Sequence, residues 1–287
     1  MNNIDLINPV EYDFTVTRLR AFFRDKGFLE VPVQHRLSIL AACEDPRTIG
    51  TFTYAGQTWP LPQTGQMWLE YELLTRPETK GYYCISTSYR QEPNPIEGRH
   101  NLIFPMFEFE THGNIKTLRS LEEALLLHLG FKGFDSWGDR IFPNAPYLFM
   151  AEQKYKVREL TAEHETRIYE EFGPVFFLES FPQYTSPFWN MKKDGAFANK
   201  IDVLLYGIET IGSAERSTSS DEMRELFHTI SGGMYAQILY SQFTKERVED
   251  ELEKFLAMKF FPRCGGGIGI TRMIRALKLA GVLQPVS

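Results

Sequence analysis

The stretch SYRQEPNPIEGRHNLIFPMFEFE (residues 88–110) sets Arg90 and Glu92 ahead of a Pro/Gly loop, puts Arg99 and His100 in that loop, and returns through Phe104 to Glu108. These residue types are equipped to handle a triphosphate. An arginine fixed on a strand can neutralise the phosphate under attack, loop cations can reach the far phosphates, and an aromatic face can stack on a base. For an arbitrary charged hairpin, a charged tip with one buried face is the better reading, so the rest of the chain has to decide.

Two other segments carry compatible chemistry. DVLLYGIETIGSAER spaces Asp202, Glu209 and Arg216 at intervals of seven. Two strand carboxylates can hold Mg²⁺ on a nucleotide while an arginine pairs with a carboxylate, although a solvated sheet face with ion pairs explains these three residues equally well. Near the end of the chain, GGGIG (265–269) precedes a helix bearing Arg272. The backbone N–H groups of Gly267 and Gly269 could approach a phosphate there, and a helix start favours anions. A tight turn is the commoner meaning of such a run. It lacks the G-K-[ST] ending of a P-loop and does not open an early βαβ unit, so a dinucleotide reading is poor.

The elements that would carry these residues can be read from periodicity. Phe14, Val16, Leu19 and Phe22 fall at mostly helical spacing within 9–26 and Gly27 stops the run, which predicts an amphipathic helix. FLEVPV (28–33) reads as a short strand ended by Pro32, and residues 44–66 as hairpin pieces. GYYCISTSYRQE (81–92) and LIFPMFEFETHG (102–113) read as long antiparallel strands flanking the NPIEGRHN turn. A leucine stripe predicts a helix over 118–131, and 156–173 reads as a charged helix stopped by Gly173. PVFFLESFP and KIDVLLYGIETIG are β-rich, helices follow at about 220–241 and 244–257, and the Gly-rich turn feeds the last helix. Long antiparallel strands between helices predict an α+β layer structure in one domain spanning 1–287.

Composition narrows the class. With 43% hydrophobic and 14% aromatic residues, the 287-residue chain can fill a large core, and no apolar run approaches the roughly 18 residues of a membrane span. No membrane partner is expected. The N-terminus lacks the basic and apolar regions of a secretory signal, and the three cysteines, Cys43, Cys84 and Cys264, lie far apart, so a reducing cytoplasm is expected. A net charge of −6 argues against a broad nucleic-acid footprint but not against a local basic site.

Together the three segments resemble the catalytic domain of class II aminoacyl-tRNA synthetases. That family's second motif is an arginine, one residue, a glutamate, an Arg/His loop and a phenylalanine on the next strand, matched by SYRQE, GRH and Phe104. Its third is a Gly-rich turn ending in an arginine that opens a helix, matched by GGGIGITR with Arg272. KGFLEV (26–31) resembles the first motif, with the family's following proline displaced to Pro32. LPQTGQMWLE (61–70) resembles the amino-acid-binding strand of the aspartyl, asparaginyl and lysyl subgroup, especially its asparaginyl version, and Glu209 with Arg216 resembles the aspartyl and asparaginyl pattern. The related asparagine synthetase A and the aspartyl enzymes carry a lysine near 66–70, where this chain has Met67, Trp68, Leu69 and Glu70. Ile103 and Thr271 stand where the family commonly has acids.

The resemblance implies a class II synthetase-like α+β fold, a mainly antiparallel β-sheet flanked by helices, and an ATP- and Mg²⁺-dependent ligase that forms an aminoacyl-adenylate. Arg90 would hold the α-phosphate, Arg99, His100 and Arg272 the far phosphates, and Phe104 the adenine. Glu92, Gly267 and Gly269 would complete the ATP site, and Asp202 and Glu209 would bind Mg²⁺. Gln66, Glu70, Glu108 and Arg216 would form the amino-acid pocket, with Glu70 favouring an amide such as asparagine over a carboxylate. A homodimer is expected through the first motif, and an anticodon-binding OB domain is not expected. The acceptor stays open between tRNA or another nucleophile and ammonia, as in asparagine synthetase A. A non-catalytic paralogue that binds an amino acid or nucleotide to regulate a partner is a further alternative.

Overall fold

The computed structural model describes residues 6–33, 37–40, 46–91, 101–133 and 142–284. In chain order the elements are α1 (Pro9–Asp25), β1 (Leu29–Glu30), β2 (Thr51–Tyr54), β3 (Gln57–Pro60), α2 (Gln66–Thr75), β4 (Gly81–Tyr89), β5 (Ile103–His112), α3 (Ile115–Leu129) and β6 (Asn144–Pro146). They continue with α4 (Ala162–Phe172), β7 (Val175–Pro182), β8 (Lys193–Asp194), β9 (Phe197–Leu205), β10 (Ile208–Glu215), α5 (Ser220–Thr229), α6 (Met234–Phe243), α7 (Lys245–Leu256), β11 (Arg263–Gly269) and α8 (Ile270–Leu279). None of these helices is long and apolar enough to cross a membrane.

Nine strands form one sheet in the order β1-β4-β5-β11-β10-β9-β7-β6, with β8 paired to β9. Only β1 with β4 and β6 with β7 run parallel. Alternation along each strand sorts its side chains onto two faces. Phe107 and Phe109 of β5, Ile211 of β10 and Val203 of β9 point into one core, which α1 (Leu19, Phe23), α3 (Leu118, Leu125) and α8 (Ile274, Leu277) cover. The other face carries the site residues. Over it, α2 and a second aromatic core built from α5–α7 close one end, and α4 packs on β7 and β9 at the other.

Several sequence expectations change. The Gly-rich run is a buried central strand, β11, paired on both sides, rather than a turn. Its lack of side chains is what lets its neighbours close over it: a Cβ on Gly266 would lie 2.5 Å from Ser213 Cβ, and one on Gly267 would lie 2.8 Å from Met106 Cε. Residues 61–70 divide at Gly65, the N-cap of α2, so the second half of the segment read as a strand is helical, with Met67, Glu70 and Leu74 on the buried stripe of α2. The 28–33 strand shortens to Leu29–Glu30, ahead of Pro32, which has no N–H for the ladder. The charged helix starts only at Ala162, where Thr161 and His164 form a capping box. The 220–241 helix breaks into α5 and α6 at Ser231 (φ 54°), Gly232 and Gly233, whose left-handed backbone cannot continue a right-handed helix.

Candidate active site

Register assembles the site. Cys84, Glu108, Gly267, Gly212, Asp202 and Leu178 are successive cross-strand partners from β4 to β7, so they form one row across the sheet. Two carboxylates flank two glycines. The bare centre of that row is the floor of a cleft of about 680 Å³.

Glu209 reaches the same face through a bulge. Simple alternation would turn Glu209 away from the face that holds Gly212, but the register of β9 and β10 shifts between Glu209 and Ile211, which sets Glu209 opposite Leu204 on the cleft side. A Cβ on Gly212 would lie 2.9 Å from Glu209 Oε1 and 3.6 Å from Asp202 Oδ1, so both carboxyls converge above that glycine. Lys200 Nζ donates to Asp202 Oδ2 at 2.8 Å and offsets part of this negative charge. Among the described residues no cluster of three or more His, Cys, Asp or Glu is arranged to hold a metal. A pair of carboxylates still fits Mg²⁺, which keeps water and takes phosphate oxygens as its other ligands.

One end of the cleft is cationic and aromatic. Arg90 follows β4, its N–H donates to Leu102 O at 2.8 Å, and its guanidinium lies 5.5 Å from the Phe104 ring centroid. Arg272, in the first turn of α8, donates from Nη1 to Glu209 O at 2.6 Å, which ties the helix to the bulge. Gly269 caps α8 without a side-chain hydrogen bond and lines the cleft, so the positive end of the helix faces it. Glu92, Arg99 and His100 lie outside the described residues.

The other end is a network of buried charges. Glu108 accepts from Gly65 N at 2.7 Å, Ser86 Oγ at 2.5 Å and Thr64 Oγ1. Burial pushes its pKa above the usual carboxylate range against the pull of those bonds. Gln66 Nε2 donates to Glu110 Oε2 at 3.2 Å, and Arg216 reaches Glu110 through Nε and Nη2, each at 3.3 Å. Glu70 does not line the cleft. It is fully buried beneath it, with Arg263 Nε and Nη2 on Oε2 at 2.9 and 2.7 Å, Asn190 Nδ2 on Oε1 at 2.6 Å, and Arg216 Nε at 3.5 Å. Its oxygens therefore serve neighbouring side chains.

Gln66, Arg90, Phe104, Glu108, Asp202, Glu209, Arg216, Gly267, Gly269 and Arg272 thus share one cleft, and Glu70 supports it from below. Sequence reasoning passed over Glu110, Arg263, Asn190 and Lys200. Glu110 could have been found, because it lies two residues after Glu108 on a strand and so shares its face. Arg263 and Asn190 carry no local signal, since their partner Glu70 lies more than a hundred residues away in sequence.

The family described as tRNA synthetases class II (D, K and N) matches residues 13–282. The chain is 23% identical over 291 residues to an aspartate–tRNA(Asp/Asn) ligase of Methanopyrus kandleri, covering 94% of this chain and 64% of that protein. It is 27% identical over 123 residues to an aspartate–tRNA(Asp) ligase of Pyrobaculum aerophilum, covering 42% and 25%. In fold it is similar to the asparaginyl-tRNA synthetase of Pyrococcus horikoshii complexed with asparaginyl-adenylate, with a TM-score of 0.74, 20% identity and coverage of 94% and 65%. The Entamoeba histolytica asparaginyl-tRNA synthetase in complex with asparaginyl-adenylate gives 0.71, 18%, 95% and 63%. The chain spans less than two thirds of the length of each of these four proteins.

Proposed function

Since this chain belongs to the class II tRNA synthetases (D, K and N), we propose that it is an ATP-dependent ligase that activates an amino acid as its adenylate, with an asparagine-like side chain preferred. The observation that carries this reading is the glycine-floored cleft, whose two ends along the strand direction differ. Phe104, Arg90 and Arg272 stand at one end and Gln66, Glu108 and Arg216 at the other, over a strand distance of roughly 20 Å from Phe104 to Glu110 at about 3.4 Å per residue. That length suits a nucleotide and an amino acid laid end to end.

In this reading a substrate carboxylate oxygen attacks the α-phosphorus of ATP, and the bond to the bridging oxygen breaks to release pyrophosphate. The step needs alignment and charge neutralisation and no nucleophilic side chain. Arg90 offsets the charge that builds on the α-phosphate, Arg272 and the start of α8 hold the far phosphates, and Phe104 presents its face to the base. Mg²⁺ held by Asp202 and Glu209 would supply further neutralisation of phosphate charge. Arg216 meets the side-chain oxygen of the amino acid, with Glu108 and Gln66 on its polar backbone groups. Glu92, Arg99 and His100 belong to this proposal on the strength of their motif alone.

The decisive assay is ATP–pyrophosphate exchange with each of the twenty amino acids, followed by product analysis with ammonia or bulk tRNA. Asparagine is expected to support the fastest exchange. Arg90→Ala and Arg272→Ala should each lose about 2–4 kcal/mol of transition-state stabilisation. Exchange that survives both substitutions unchanged would refute the ATP site, and fastest exchange with aspartate plus asparagine formation from ammonia would favour an asparagine synthetase A-type ligase.

A further inference from the structure

Arg263 is among the largest side chains with no solvent exposure in this chain, and it does not line the cleft. Its Nε and Nη2 grip Glu70 Oε2 at 2.9 and 2.7 Å, its Nη1 donates to Ser217 O at 3.0 Å, and its guanidinium lies 4.8 Å from the Phe260 ring centroid. Two of its three polar contacts therefore go to one oxygen of one carboxylate. The other Glu70 oxygen is bound short by Asn190, at 2.6 Å, and stands 3.5 Å from Arg216.

Arg216 is held more loosely. Its contacts to Glu110 are 3.3 Å each and that to Gly265 O is 3.2 Å, whereas a strong charge-assisted N–H···O bond measures about 2.7–2.9 Å. Glu70 thus lies between two arginines and spends its strength on the one behind it, leaving the one that lines the cleft less firmly held. The four groups, Arg263, Glu70, Arg216 and Glu110, alternate in sign, and with both carboxylates ionised their charges sum to zero. A substrate carboxylate would add uncompensated charge to this buried set, while a carboxamide would not.

We propose that Arg263, without touching substrate, is a positioning residue that sets amino-acid selectivity: by occupying Glu70 it leaves the Arg216 guanidinium available in the cleft to bind a side chain ending in a carboxamide oxygen. This rests on the adenylate-forming reading above. Without Arg263, Glu70 becomes a buried carboxylate whose one remaining cation is Arg216, and the guanidinium moves down onto it and away from the substrate. The damage comes from the stranded charge, so removing that charge as well repairs the pocket.

The test compares wild type, Arg263→Gln and the double variant Glu70→Gln/Arg263→Gln in ATP–pyrophosphate exchange with asparagine and aspartate. Arg263→Gln is expected to raise KM for asparagine about tenfold or more while KM for ATP stays within about twofold, because a lost buried charge partner is costly but local. The double variant is expected to return to within about threefold of wild type. A single variant with unchanged KM, a double variant no better than the single, or equal losses for ATP and amino acid would each overturn the proposal. If Arg263→Gln proves insoluble, the double variant decides alone, and a tenfold loss in it overturns the proposal. Absence of exchange by wild type with every amino acid would overturn the adenylate-forming reading and this inference with it, whereas robust wild-type exchange with the wrong variant pattern would overturn this inference only.

Discussion

Arg216 stands between two buried carboxylates, and the protonation of one of them decides what the pocket offers. Burial pushes Glu110 up to about 8, against the opposing charge of Arg216 and with the charge of Glu70 adding to the rise. Below that pH a protonated Glu110 leaves the four-group network with one net positive charge, which narrows the preference for an amide over a carboxylate. Above it the network is neutral and suits an amide. The aspartate-to-asparagine ratio in pyrophosphate exchange should therefore fall as pH rises from 7 to 9, and Glu110→Gln should flatten it. A wild-type ratio that stays constant over that range would remove Glu110 from the selectivity argument.

Two elements behind the cleft matter as much as the residues in it. On β11, the three consecutive glycines 265–267 let β5 and β10 close over the strand, and Gly266→Ala would press a methyl 2.5 Å from Ser213 Cβ and 2.8 Å from Gly212 O. That backbone cannot move without shifting the floor, so a loss of about 1–3 kcal/mol in urea unfolding is expected. An unchanged denaturation midpoint would mean that the strand has more room than its neighbours imply. On α3, Glu122 is sealed under the sheet, and burial pushes it up to about 8, only partly offset by Ser213 and Arg119. The folded protein then holds a proton that the unfolded chain releases near the ordinary carboxylate value of 4.5. Stability from this group is full below that value and falls as pH rises towards 8. Glu122→Gln should accordingly stabilise the fold at pH 8, on the order of 4 kcal/mol, and hardly at all at pH 4. Equal changes in melting temperature at the two pH values would contradict this assignment.

At the scale of the molecule, the edge strand β1 and the start of α1 each leave apolar side chains exposed. Leu6 is 86% exposed, Val10 on α1 is 56% exposed and Leu29 on the two-residue edge strand β1 is 56% exposed. An exposed leucine on an open strand edge is compatible with the homodimer expected from the first-motif resemblance. Leu29→Asp is expected to shift the protein from dimer to monomer in sedimentation at micromolar concentration. A wild type that sediments as a monomer at every concentration tested would end the dimer reading.

The residue types of the cleft were determined by sequence alone. SYRQE, Phe104, the seven-residue spacing from Asp202 through Glu209 to Arg216, and GGGIGITR each read locally, because period-two alternation and helix starts are local properties of a chain. The helix–strand alternation was legible for the same reason, although element ends moved and 66–70 proved helical. Tertiary structure decided which of the acidic side chains face the cleft. The bulge that turns Glu209 onto the cleft side exists only against β9, and the sealing of Glu70 depends on Arg263 and Asn190 from distant parts of the chain. Whether a carboxylate meets a substrate or a buried arginine is set by which strands become neighbours, and that pairing is a non-local property that no residue spacing records.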